Sequence, residues 1–403
     1  MPDPLRMLLV GCGMMGARHV RGLAELESVA PATIQIAAVC DLHREFAESV
    51  ADEALELFGE RPAVFTDLQA ALSGSPDLEA ADLVTDPRSH DEIAVTLLDA
   101  GLHVICEKPL ALTVARGRRM VDAAERNDRV LAAAENNRRD PMLRLARAAL
   151  RAGVIDEPNF ALDLSVSRGD HIIGTAWRHR RAQGGVLLDV AVHRGYALEC
   201  LMGPVRTVAA RAQQVQDARS GSEYDGTYVD VDVDSEDCFT AALGFESGAQ
   251  GQWTAHFAGT GETMGQRLIV GAEGTMSVPG ERSGKPPRVQ CGDEVLPPEE
   301  LVAAVPEWSL NEIEARLFGS ERPSGYDRNG SQIDRRLIAA EMHDFAEAVR
   351  SGRAPEADGS VGLRSVALVA SVLESATAGR VVTVEEVLAG EVHAWQDTLE
   401  AVI

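Results

Sequence analysis

The sequence predicts an α/β unit with a doubly wound parallel sheet of the Rossmann type, followed by an α+β unit with an open, largely antiparallel sheet and flanking helices. Three observations carry this expectation. Short apolar runs alternate with helix-like stretches through residues 7–135, the alternation that buries a parallel sheet beneath helices on both faces. A glycine turn, Gly11-Cys12-Gly13-Met14-Met15-Gly16, closes the first run. Beyond about residue 155 the alternation stops, and strand-like segments succeed one another through short turns.

In order along the chain, Met7–Val10 leads into the glycine turn and Ala17–Leu26 follows as a helix. Ile34–Cys40 is a second apolar run ending at Asp41, with a helical stretch to about Phe58. Ala63–Phe65, Asp82–Val84, His103–Cys106 and Val130–Ala134 complete six strands, and Asp91–Asp99 is a helix that Gly101 stops. Polar or glycine punctuation falls just after these strands: Gly11, Asp41, Thr85-Asp86-Pro87, Glu107-Lys108-Pro109 and Asn136-Asn137-Arg138. Doubly wound sheets bind ligands outside the carboxyl ends of their strands, so all five segments line one crevice.

Asn159–Ser167, Val205–Gln216, Cys238–Phe245, Ala249–Phe257, Arg267–Gly271 and Thr275–Val278 read as the strands of the second sheet, with Glu246-Ser247-Gly248 as a hairpin turn. Residues 280–335 are punctuated by glycine and proline, with Pro298–Ala304 and Leu310–Leu317 as short helix candidates. A segment this long is a lid or an interface arm, with disorder as the alternative. Leu337–Arg350 and Val361–Ala378 close the chain as helices, each followed by a glycine. The division expected is 1–137 for dinucleotide binding and 138–403 for substrate binding and oligomerisation, the latter holding the 280–335 insertion and the 337–378 helices.

Bulk properties narrow the function classes. The chain has 403 residues, and 38 Lys+Arg against 63 Asp+Glu give a net charge of −25. Such a surface repels phosphate backbones and anionic lipid, which argues against nucleic-acid and membrane partners. The six cysteines form no CxxC pair and fit a reducing cytoplasm. Residues 1–6 leave no room for a secretion signal, and no uninterrupted apolar run approaches the roughly 18 residues of a membrane span.

Gly-x-Gly-x-x-Gly makes a tight turn, lets backbone approach a pyrophosphate, and points helix N-terminal amides at the anion. The match is weak alone; here it follows a strand and opens a helix. Gly11, Gly13, Met14, Met15 and Gly16 are therefore expected at the cofactor, with Thr85, Asp86, Glu107 and Lys108 across the crevice. Asp41 ends the second strand, where a carboxylate accepts both ribose hydroxyls and repels a 2′-phosphate, favouring NAD over NADP. It lies 25 residues past Gly16, further than usual because residues 27–33 lengthen the connection. Arg44 close by keeps NADP open.

Asp189 and His193 are spaced i, i+4, which puts them on one helix face. An aspartate so placed accepts one imidazole N–H, fixes the tautomer and leaves the other nitrogen as a base. Gly184-Gly185 before it permits close approach to the backbone. A salt-bridged surface pair is the bland alternative. Lys108 projects an ammonium into the crevice, disfavouring imidazolium and stabilising alkoxide charge; its bland alternative is a surface pair with Glu107. Pro109 implies a fixed loop, with a cis Lys108-Pro109 bond open to it.

At these residues the chain resembles the glucose–fructose oxidoreductase, inositol dehydrogenase and MocA family over nearly its whole length. The likeness rests on the glycine turn, Glu107-Lys108-Pro109, Trp177 with Gly184-Gly185 and Asp189-Val-Ala-Val-His193, the Phe345–Pro355 run and Glu374-Ser375. It implies Lys108, Asp189 and His193 as the catalytic set and an NAD(P)-dependent oxidation or reduction of a ring hydroxyl of a sugar or cyclitol. It also implies homodimers or homotetramers packed through the outer sheet face. Several relatives carry tyrosine where His193 stands. Two rival readings share the fold: glycoside cleavage by transient oxidation and elimination on bound NAD, and a non-catalytic sugar-sensing regulator.

Two departures stand out: Gln183 replaces the first glycine of a common Gly-Gly-Gly, and 280–335 is longer than in compact members. His90 matches a family position near the nicotinamide; by itself it reads as a helix N-terminal residue. Asn137, Arg138 and Trp177 are candidate substrate contacts, since polyols need polar clamps and a flat apolar wall; core packing is the alternative for Trp177. Asp230, Asp232 and Asp234 alternate in the manner of a solvated strand face, and no metal site is expected.

Overall fold

The computed structural model describes residues 3–168, 175–223, 227–327 and 330–403. Leu5–Val10 (β1), Ile34–Cys40 (β2), Ala63–Phe65 (β3), Ala80–Leu83 (β4), His103–Glu107 (β5) and Leu131–Ala134 (β6) form one parallel sheet in the order β3-β2-β1-β4-β5-β6. Strand order reverses between β1 and β4, which opens the crevice above the strand ends. Helices Met14–Val29 (α1), Arg44–Phe58 (α2), Leu68–Gly74 (α3), His90–Asp99 (α4) and Val114–Asn127 (α5) connect the strands. Local chemistry sets their limits: the Thr113 hydroxyl accepts the Arg116 N–H at the start of α5, and Asp128 ends it in the left-handed region.

Pro141–Arg151 (α6) leads to the second sheet, made of Pro158–Arg168 (β7), Val205–Gln213 (β8), Cys238–Phe245 (β11), Gln250–Gly259 (β12), Met264–Gly271 (β13), Thr275–Ser277 (β14), Arg288–Cys291 (β15), Glu294–Leu296 (β16) and Val382–Thr383 (β17). Its order is β16-β15-β14-β13-β7-β12-β11-β8-β17. The sheet is antiparallel except at β7–β12. Gly248, at φ +92°, makes the hairpin turn between β11 and β12. Val192–Met202 (α7) follows a π turn at Leu187–Ala191.

One face of this sheet carries few charges. Phe160, Leu162 and Leu164 of β7 are half-buried, and they lie opposite Val270, Leu268 and Gln266 of β13 and Gln250, Gln252 and Thr254 of β12. The strip is uncharged, in a chain of net charge −25.

Several elements differ from expectation. Ala218–Ser222 (β9) and Tyr228–Asp232 (β10) form a separate antiparallel pair, so Asp230 and Asp232 sit within a strand rather than before one. In β10 only Val231 is buried, and so thin an apolar alternation reads as a polar stretch. Within 280–335, β15 and β16 pair as a hairpin, and Pro298–Ala303 (α8) and Glu312–Phe318 (α9) are helical. The described part of this insertion is anchored: Leu310, Leu317 and Phe318 are buried, and the Tyr326 hydroxyl donates to Asp140 Oδ2 at 2.6 Å.

Gly330–Ser351 (α10) and Gly359–Ala378 (α11) close the core, before Val384–Leu388 (α12) and Ala394–Glu400 (α13). α11 runs between the sheets. A Cβ added at Gly359 would lie 2.8 Å from the Leu131 side chain, and one at Gly362 would lie 3.0 Å from Ala133; on the other side Ser375 Oγ accepts the Ala210 N–H of β8. It is the one helix among the described residues long and apolar enough to cross a membrane, and most of it is packed inside the protein. α10 lies against α1, where Gly22 meets Ile338.

A Cβ at Gly22 would sit 2.4 Å from Ile338 Cγ2. Gly22→Ala therefore overpacks the α1–α10 contact and should cost about 1–3 kcal/mol in urea unfolding, part of it regained in Gly22→Ala/Ile338→Ala. Unchanged stability in the single variant contradicts this packing.

Candidate active site

The glycine turn is built for a close anionic ligand. Gly11 has φ +99°, and a Cβ there would lie 2.6 Å from Val84 O; one at Gly16 would lie 2.2 Å from Gly11 O. Gly13 has nothing within 4 Å of its own added Cβ, so its face is open. α1 starts with no side-chain cap and no acid in its first turn, leaving amides directed outward. Asp41 sits beside them: Oδ2 accepts the Cys12 N–H at 2.7 Å and Oδ1 the His43 N–H at 2.8 Å. Met14 and Leu42, 70% and 88% exposed, flank this corner, while Met15 is partly buried against the core under the turn. Arg44 is engaged by Glu48. An open glycine face, free amides and a fixed carboxylate fit a dinucleotide.

Across the crevice, Thr85 bonds Ser89 through its hydroxyl, and Asp86 accepts from the Arg88 N–H and from Gln183 Nε2 at 2.7 Å. Gln183, the departure from triple glycine, thus ties the second unit to the loop after β4. His90 is wholly buried, its ring nitrogens 3.0 Å from Pro109 O and 3.1 Å from Thr85 O. Burial pushes its pKa down. Its place is a strut behind the two loops rather than a wall of the crevice. The Lys108-Pro109 bond is cis.

Glu107 turns away from Lys108. Its Oε1 lies 3.2 Å from His19 Nε2, while His19 Nδ1 lies 2.9 Å from Asp82 Oδ2. Burial opposes charge on His19, but the two carboxylates prevail and raise its pKa well above the ordinary value. Burial likewise opposes charge on Glu107, and His19, Lys108 and His193 together bring its carboxyl below the usual range.

The pairing within the expected catalytic set is different from the i, i+4 reading. Lys108 Nζ donates to Asp189 Oδ1 at 2.9 Å and lies 3.3 Å from Asp189 O; Arg178 Nε donates to Asp189 Oδ2 at 2.6 Å. Both carboxylate oxygens face cations, and among the described residues no hydrogen bond joins Asp189 to His193. Burial would raise the Asp189 carboxyl, but Lys108 and Arg178 outweigh it and hold it well below the usual carboxylate range. His193 Nδ1 lies instead 2.6 Å from Glu135 Oε2. Glu135 is wholly buried at the end of β6, and its Oε1 accepts the Asn137 N–H at 3.1 Å.

Asn137, Arg138 and Trp177 are all nearly buried. Asn137 Oδ1 and Arg138 Nε have no hydrogen-bond partner among the described residues. The Arg178 guanidinium stacks 4.3 Å from the Trp177 ring centre. Asp230 accepts from Ser220 and Asp234 from the Arg181 N–H; among the described residues no group of three or more His, Cys, Asp or Glu is placed to hold a metal. Sequence reasoning missed Glu135, Arg178 and His19. The first two had a signal, since each adjoins a segment already singled out; His19 had none, being one more residue of an amphipathic helix.

Comparison with known proteins agrees with this architecture. Residues 5–135 match the model of an oxidoreductase family with an NAD-binding Rossmann fold, and residues 149–384 match that family's C-terminal alpha/beta domain. D-apiose dehydrogenase of Paraburkholderia graminis is 28% identical over 386 residues, 93% of this chain and 88% of that protein. Among solved structures, an NAD binding oxidoreductase from Klebsiella pneumoniae superposes with TM-score 0.76 at 24% identity, covering 95% of this chain and 99% of that one. Levoglucosan dehydrogenase in complex with NADH and L-sorbose does so with TM-score 0.75 at 24% identity and the same coverage.

The raised pKa of His19 makes stability pH-dependent. Its contribution is complete below about pH 6.5, the unfolded value, and is lost as pH rises toward the folded value. The advantage of the native chain over His19→Gln in urea unfolding should therefore shrink as pH is raised from about 6 to 9. A constant or growing advantage contradicts the charged assignment.

Proposed function

This chain belongs to the oxidoreductase family that joins an NAD-binding Rossmann fold to a C-terminal alpha/beta domain, and we propose that it interconverts a ring hydroxyl and a ketone of a sugar, sugar derivative or cyclitol. The observation that carries this reading is an ammonium and an imidazole, from different elements, each fixed by its own carboxylate. Lys108 is held on Asp189 and His193 is held by a carboxylate of its own. The names of its relatives, which act on apiose and levoglucosan, support the substrate class.

Gly11, Gly13, Gly16 and Asp41, with the first amides of α1, would hold NAD. When bound, NAD supplies the hydride acceptor for oxidation and the donor for reduction. In oxidation His193 Nε2 takes the proton of the reacting hydroxyl, and in reduction it gives it back, a role worth about 10²–10⁴ in rate. Lys108 has three N–H groups, two of them occupied by Asp189; the third stabilises negative charge building on the same oxygen. Asp189 positions Lys108, and Asn137, Arg138 and Trp177 grip the rest of the ring. Asp41 disfavours a 2′-phosphate, so NAD is preferred over NADP.

The neutral strip around Phe160, Leu162, Leu164 and Leu268 suits a second copy of this chain, giving a homodimer or, by a second contact, a homotetramer. The six cysteines are all free, four of them buried, which suits a reducing compartment such as the cytoplasm.

The test is a panel of inositols, apiose, levoglucosan, free hexoses, sugar nucleotides and glycosides, scored for NADH formation and for released aglycone. NADH from a sugar or cyclitol supports the reading. Aglycone without net NADH replaces it with glycoside cleavage, and no turnover on any member replaces it with a sensor. Lys108→Met and His193→Ala should each lower kcat by at least about 10² while NADH binding by fluorescence stays within a few-fold. Full activity in either variant refutes its role.

A further inference from the structure

We propose that Glu135 is the positioning residue of His193: a carboxylate of the nucleotide-binding half that fixes the imidazole of the other half with Nε2 free. The proposal rests on the reading of His193 as the base and deepens it. It is carried by geometry. Glu135 is completely buried and has no freedom to wander, because Oε1 is tied to the Asn137 N–H at 3.1 Å while Oε2 meets His193 Nδ1 at 2.6 Å. A carboxylate accepts and never donates when ionised, so the proton between them belongs to Nδ1. The lone pair is then on Nε2. The His193 side chain is 23% exposed, against none for Glu135, so the ring shows one edge to the crevice and the other to its partner.

The competing acids are already engaged. Asp189, one turn earlier, spends its two oxygens on Lys108 and Arg178, and Glu107 is bonded to His19. The other titratable or charged groups around the pair are Tyr196 of α7, Glu341 of α10 and Arg138 of the turn after β6, with Glu107 and Lys108 at the end of β5. None of them bonds His193 among the described residues. Because Glu135 ends a strand of the first sheet and His193 lies on a helix of the second unit, the base is assembled only when the halves are in register. Reorganisation between them would switch the base off without touching either residue.

The dyad also predicts how charge is handled. As His193 takes a proton in oxidation it becomes imidazolium, and the Glu135 carboxylate at 2.6 Å favours that form. Replacing the carboxylate by an amide removes this preference and lets the ring adopt the other tautomer, with Nε2 protonated and useless as a base.

The test compares the native enzyme with Glu135→Gln, assayed with apiose, levoglucosan and myo-inositol, whichever turns over fastest, and NAD. Glu135→Gln should lower kcat by about 10²–10⁴ and leave the KM for the sugar and NADH binding within about three-fold. A role in folding alone would weaken NADH binding and thermal stability together; that outcome, or native kcat in Glu135→Gln, overturns the proposal. Should the variant not fold, 15N-histidine NMR of the native enzyme with NADH, assigned with His193→Gln, decides: an Nδ1–H tautomer supports the dyad and an Nε2–H tautomer overturns it. Loss of activity in His193→Ala beside a fully active Glu135→Gln sinks this inference alone, whereas activity in His193→Ala sinks the reading beneath it.

Discussion

The ion pair between Lys108 and Asp189 is the contact on which the rest of the site depends. It spans the two halves of the molecule, Nζ to Oδ1 at 2.9 Å, with both side chains largely shielded from water. An isolated buried charge costs several kcal/mol, so each of these groups requires the other. Arg178 adds a second cation on the remaining Asp189 oxygen. The balance is instructive. One carboxylate against two cations leaves an excess of positive charge, which is what an oxyanion forming on a substrate needs. One turn along the chain the balance reverses, with Glu135 placing a negative charge behind His193. In the proposed reaction these two poles would serve the two ends of a proton moving from oxygen to imidazole.

The scaffold serves this arrangement by tying the strand ends together from behind. His19 of the nucleotide-facing helix holds Asp82 and Glu107 at the ends of two adjacent strands, and His90 holds the backbone of the loops that follow them. The helix α10 presses on α1 through Gly22. The insertion adds further ties: Arg282 donates its backbone N–H to Asp140 and a guanidinium N–H to Asn136, and Asp334 at the start of α10 pairs with Arg18. The turn carrying Glu135 is thus braced on several sides, which is how an interdomain hydrogen bond keeps its length.

Much of this was legible in the sequence because it depends on local patterns. Strand and helix periodicity located the six parallel strands to within about two residues, and the positions of Gly11, Asp41 and Lys108 followed from where each strand had to stop, while His193 came from its spacing to Asp189. What was not legible depends on long-range choice of partner. Asp189 and His193 share a face by spacing, and spacing alone pairs them; two cations, one 81 residues away and one 11 residues away, outbid the imidazole. Glu135 lies 58 residues from His193, and nothing in a one-dimensional pattern joins them. The β9–β10 pair escaped because its alternation buries so little. The closing helices were visible as helices, yet their packing against the first sheet and α1 needed the fold.

The most direct measurement is a crystal structure of the chain with NAD and the sugar or cyclitol it turns over. The account predicts one carbinol oxygen within hydrogen-bond reach, about 3 Å, of both Lys108 Nζ and His193 Nε2. A bound substrate whose reacting oxygen touches only one of them, with the other directed elsewhere, would contradict it.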